Sequence, residues 1–134
     1  MSLEPINPPN WKPPVGYSNA MLSAGGRMLF LAGQVAFDEN QNIVGEGDLT
    51  AQFEQVMKNI QSVVETAGGA MTDIARMTIF VQDKDDYIAR CQDLGGLYRS
   101  YFGKHYPAMT LVEISRFYEP GVLLEIEATA VLDQ

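Results

Sequence analysis

Apolar positions along the chain change their period several times, and each change marks an element. Leu49, Phe53, Val56, Met57, Ile60, Val63, Val64 and Ala67 recur at spacings of three and four, the repeat of one helical face. Asp48 stands just before this run, where a carboxylate can cap the free amides of a first turn, and Gly68-Gly69 closes it. Tyr87, Cys91, Leu94, Tyr98, Tyr101 and Phe102 repeat the spacing, with Asp85 or Asp86 as cap and Gly103 as stop, so a second helix is expected. Gly95-Gly96 weakens its middle by about 1 kcal/mol per glycine relative to alanine.

The remaining apolar segments read as strands. Ala20 to Ser23 and Arg27 to Phe37 are joined by Gly25-Gly26, a dipeptide suited to the positive φ angles of a tight hairpin. Ile74 to Val81 is rich in residues that favour a pleated surface and is too short for a typical helix. Thr110 to Ile114 alternates, and so does Val122 to Leu132, with Leu124, Ile126, Ala128 and Ala130 on one face and Glu125, Glu127 and Thr129 on the other. The polar stretch Asp38 to Gly47 is a loop. The expected order is β-β-α-β-α-β-β in one α+β domain over residues 1–134, with residues 1–14, rich in Pro and Asn, as an extended arm.

This order has a consequence for assembly. Two helices cover one face of the sheet, yet Met28 to Ala32 and Met77 to Val81 are apolar on both sides. The expected cover for the second face is another copy of the same sheet in a closed symmetric oligomer.

Composition narrows the function classes. A formal charge of −8 and a pI near 4.4 oppose nucleic-acid binding, since phosphate contacts need Lys or Arg. Cys91 is the single cysteine, so no internal disulfide forms and a cytoplasmic protein is expected. The apolar stretch Met28 to Phe37 is shorter than the roughly 20 residues a membrane helix needs, and the N-terminal arm lacks the basic and apolar regions of an export signal.

Several short pieces, in shared order and spacing, resemble the RidA (YjgF, reactive-intermediate deaminase) family along nearly the whole chain. They are Gly16-Tyr17-Ser18-Asn19-Ala20, Leu31-Ala32-Gly33-Gln34-Val35, Gln52 with Asn59-Ile60, Ala67-Gly68, Thr78 to Val81, Tyr98 to Phe102, Tyr106-Pro107-Ala108 and Glu125-Ile126-Glu127-Ala128. The resemblance implies a chorismate-mutase-like homotrimer with a central β-barrel, helices outside and pockets between subunits. It also implies hydrolysis of enamines and imines in those pockets without metal or cofactor, an arginine two residues after the Pro of the Pro-Ala motif gripping the substrate carboxylate.

Here that position is Met109. A thioether carries no charge and is a weak acceptor, so it cannot replace a guanidinium. Losing such a charge-assisted pair costs about 2 to 5 kcal/mol when the partner is buried. A second departure lies in the second helix, where the family often carries an asparagine and this chain offers Cys91 or Gly95.

By the same resemblance Glu125 positions a water or substrate nitrogen, and a carboxylate facing an interface would serve as a general base if burial raised its pKa. Tyr17 matches a pocket tyrosine whose ring packs on the ligand. Gly33, inside a strand pattern, allows either close backbone approach or a bulge. Leu111 joins Met109 and Tyr17 as an apolar contact. His105 is the only histidine, so no metal cluster is expected, and it reads as a surface loop residue. Cys91 reads as a small core residue.

The expectation is therefore a trimer that binds a small organic metabolite, with general 2-imino acid deamination weakened and with neutral or cationic ligands favoured over compact carboxylates. An active deaminase on an altered substrate, with Arg27, Arg116 or His105 supplying the lost charge, is the first alternative. An endoribonuclease or translation inhibitor is the second, and the acidic charge opposes it.

Overall fold

Six strands form two sheets of unequal size in the computed structural model, which describes residues 3–133. In chain order the elements are β1 (Leu3–Ile6), β2 (Ala20–Ser23), β3 (Arg27–Gln34), α1 (Leu49–Thr66), a 3₁₀ turn (Met71–Asp73), β4 (Ile74–Val81), α2 (Lys84–Ala89), α3 (Cys91–Phe102), β5 (Ala108–Glu113) and β6 (Leu124–Leu132). The large sheet runs β3-β6-β4-β5, with β4 and β5 parallel and the other pairs antiparallel. A parallel pair needs a long crossover, and α2 and α3 supply it. Among the described residues no helix is long and apolar enough to cross a membrane.

The hairpin, the unbroken second helix, its cap and the core position of Cys91 are corrected. Gly25 and Gly26 do hold positive φ angles of 137° and 108°, but they join no hairpin. β2 pairs with β1, which lies inside the extended N-terminal arm, and β3 pairs with β6. The glycines turn the chain from one sheet into the other, and at Gly26 a side chain would strike the carbonyl of Leu132. The second helix is broken at Arg90 (φ −103°, ψ 15°) into α2 and α3, and its cap is Asp83, which accepts from the amides of Asp85 and Asp86. Asp83 is extended and can reach back over the turn, while Asp85 and Asp86 already belong to it. The break also places Cys91 on the surface rather than in the core.

Strand register assigns every side chain to a face. Met77 and Ile79 lie opposite Met109 and Leu111 on one side and Ala128 and Ile126 on the other, and this face packs under α1 and α3. Phe53, Val56, Met57 and Ile60 of α1 are fully or almost fully buried against it. Gln52, also fully buried, ties two loops together: its amide donates to the carbonyls of Gly45 and Gly121, and its oxygen accepts from the Leu123 amide. Asn59 does the same for the chain after β3, donating to Val35 and Phe37. Among the described residues no helix covers the opposite face, which carries Met28, Phe30, Thr78, Phe80, Glu125 and Glu127. Met28 is 60% and Phe30 73% exposed.

Candidate functional site

The residues expected to form one site fall on two faces of the sheet. Glu125, opposite Phe80, is half-buried on the open face. Gly33 sits in a bulge of β3, where Ala32 and Gly33 separate the pairings Leu31 to Ala128 and Gln34 to Ile126. A β-carbon at Gly33 would collide with the Glu125 carboxylate, its carboxyl carbon standing 2.9 Å away. Bulge and close approach, read as alternatives from the sequence, occur together.

Met109 points the other way. Paired with Met77, it lies on the helix face and lines a cavity of about 420 Å³ between β4, β5 and the α2-α3 crossover. Phe53, Met77, Ile79 and Leu94 form the floor. Tyr87, Tyr98 and Tyr106 form aromatic walls, with Val15 and Gly16 of the N-terminal segment contributing as well. Leu111 shares this face but is 39% exposed, outside the cavity lining. Tyr17 is 42% exposed and does not line the cavity either, although both residues before it do.

The N-terminal segment is held in place by Ser18. This buried serine donates its amide to the Pro107 carbonyl at 3.1 Å and its hydroxyl to the Tyr106 carbonyl at 2.6 Å. The aromatic wall is fixed by stacking, Tyr98 on Phe102 at 4.4 Å and on Tyr106 at 5.6 Å between ring centroids. The Tyr98 hydroxyl donates to the His105 carbonyl at 2.8 Å. Burial pushes the Tyr87 hydroxyl up to about 12, with nearby Cys91 adding to the effect, and burial raises Tyr98 further. The two phenols therefore stay neutral at physiological pH.

None of the three cations considered from the sequence lines this cavity. Arg27, at the start of β3, donates to the Asp133 carbonyl just after β6, and Arg116 follows β5 on the surface. His105 is half-buried rather than a loose surface residue: its Nε2 lies 2.7 Å from the Ile74 carbonyl, which requires a proton on that nitrogen. The cavity does contain one charged side chain, Arg99 of α3. Its signal in the sequence is an arginine four positions after a mid-helix glycine, legible only once the helix is seen to border Met109. Among the described residues no group of three or more His, Cys, Asp or Glu side chains is placed to hold a metal ion.

The fold is an open-faced α+β sheet whose helical crossover borders an aromatic cavity. The family description Endoribonuclease L-PSP matches residues 9–132. A RutC family protein of Pyrococcus horikoshii is 36% identical over 118 residues, covering 87% of this chain and 88% of that protein. The crystal structure of YyfB, a protein of the conserved Rid family from Yersinia pestis, superposes with a TM-score of 0.87 at 35% identity, covering 98% of this chain and all of the other. A member of the YjgF/YER057c/UK114 family from Mycobacterium tuberculosis gives 0.63 at 30% identity, with 88% of each chain covered. The chain belongs to the Rid (YjgF, endoribonuclease L-PSP) family.

Proposed function

We propose that this chain forms a homotrimer and binds a small organic metabolite in pockets where two copies meet, with weak hydrolysis of general 2-imino acids. The observation that carries this reading is the placement of Met109 on the cavity face and Glu125 on the open face. One chain cannot bring the two to a common ligand. An assembly in which the open face of one copy covers the β5 edge of the next would do so, and it would also bury Met28 and Phe30. In such a pocket Glu125 would orient a water or a substrate nitrogen, Tyr17 would pack on the ligand, and Met109 and Leu111 would supply dispersion contacts in place of a bidentate grip.

Within this proposal the protein works in the cytoplasm without metal or cofactor. Its charge of −8 speaks against a polyanion as partner.

The test is an assay of hydrolysis of 2-imino acids generated from small amino acids. Wild type is expected to be slow, Met109→Arg faster, and the gain lost in Met109→Arg with Glu125→Gln. A wild-type rate equal to that of an arginine-bearing relative in the same assay would overturn the reading.

A further inference from the structure

Arg99 has surroundings that its position in the helix does not explain. It stands in the last turn of α3, where any cation interacts favourably with the helix dipole. Yet its guanidinium lies back along the helix over Gly95, with Nη1 3.3 Å from the point a β-carbon there would occupy. Gly95 has no backbone reason to be glycine, since its φ angle is not in the left-handed region, and its place inside α3 costs about 1 kcal/mol relative to alanine. What the glycine provides is room, and the group that uses it is the guanidinium.

The guanidinium is also uncommitted. Among the described residues the ion pairs are Lys84 with Asp85 and Arg90 with Asp86, and no side-chain hydrogen bond of Arg99 occurs. A free fork of donors therefore stands at the edge of a cavity whose other lining is apolar or aromatic, apart from the Cys91 thiol. A cavity of about 420 Å³ falls in the range that takes a small organic molecule, and one charged group in an apolar lining fixes its orientation.

We propose that Arg99 holds the carboxylate of an acid carrying a sizeable apolar or aromatic group, which fills the space between Tyr87, Tyr98 and Met109. This rests on the pocket reading above and names its ligand class. Planar bidentate pairing suits a guanidinium and a carboxylate. The cation enters from the helix rather than from β5, so the acid group sits at the rim near Gly95 and its tail lies along the half-buried Tyr87, Tyr106 and Met109. Compact acids such as acetate leave these side chains uncovered and bind poorly. The preference for neutral ligands expected from Met109 alone is thereby reversed, because a cation from α3 borders the same cavity.

Titration calorimetry on the full-length protein with phenylacetate, phenylacetamide, hexanoate, hexanamide and acetate tests this. Each acid with a tail is expected to bind about tenfold or more tightly than its amide, and acetate weakly. Arg99→Gln is expected to weaken the acids much more than the amides and so remove the preference, and Arg99→Lys to keep part of it. Gly95→Leu, which fills the guanidinium's place, is expected to weaken the acids more than the amides. Acids and amides binding alike, or a preference that survives Arg99→Gln, overturns the role of Arg99 and leaves the pocket intact. Binding by none of the five probes overturns the pocket reading as well.

Discussion

Glu125 lies over Gly33 so closely that its carboxylate occupies the place of a side chain there. Adding one methyl group at Gly33 must move the carboxylate, and because that carboxylate ends a flexible side chain, the fold itself has little to lose. Gly33→Ala is therefore expected to lower the melting temperature only slightly and to change ligand binding as much as Glu125→Ala does. In a double-mutant cycle the two substitutions are expected to be strongly non-additive. Independent, additive effects on binding would show that the contact has no role in the site.

The open face predicts the assembly. Phe30 is 73% exposed in the centre of an apolar strand and is expected to be covered by another copy. Sedimentation at micromolar concentration is expected to give a trimer, and Phe30→Glu a monomer or an aggregate. A wild-type monomer would remove the basis for a shared pocket.

Gln52 predicts a stability loss without direct contact with the cavity. Gln52→Leu preserves volume but leaves the Leu123 amide and the carbonyls of Gly45 and Gly121 without their partner. The expected cost is about 2 to 4 kcal/mol, on the basis of about 1 to 3 for each buried group left unsatisfied, with the two glycine carbonyls close enough to solvent to recover part. Urea unfolding measures it, and a loss below about 0.5 kcal/mol would mean that water replaces the glutamine fully.

Tyr87 sets an alkaline limit. Its hydroxyl is raised from 10.0 to about 12 by burial, and Tyr98 and Tyr101 shift in the same direction for the same first cause. The folded state holds these protons more tightly than the unfolded chain, so stability is full below pH 10 and falls as pH rises toward about 12. Unfolding free energies measured across this interval are expected to decline less steeply in Tyr87→Phe. An unchanged slope would show that Tyr87 ionises freely in the native state.

Much of the local structure was legible because it depends on neighbours in sequence. The α1 stripe, the Asp48 cap and strand β4 with its ends at Ile74 and Val81 follow from periodicity and from residues within a turn of one another. So does the alternation of β6, which places Leu124 inside and Glu125 outside. The cap of α2 was misassigned by two or three positions because Asp83, Asp85 and Asp86 are chemically equivalent and only backbone conformation separates them. The family, and with it the absent arginine at Met109, was also legible, since it rests on the order and spacing of short motifs.

Pairing was decided by the tertiary structure. Gly25-Gly26 carries the local chemistry of a hairpin, yet β2 takes β1 as partner and β3 takes β6, because which strand edges meet depends on the whole sheet. The same holds for the site. That Met109 and Glu125 face opposite ways follows from the register of β4 against β5 and β6, and that Arg99 borders Met109 follows from how α3 lies across the sheet. Periodicity assigns a residue to a face of its own element. Which element that face meets is settled by long-range packing, and so the sequence named the missing cation at Met109 while only the fold revealed the one beside it.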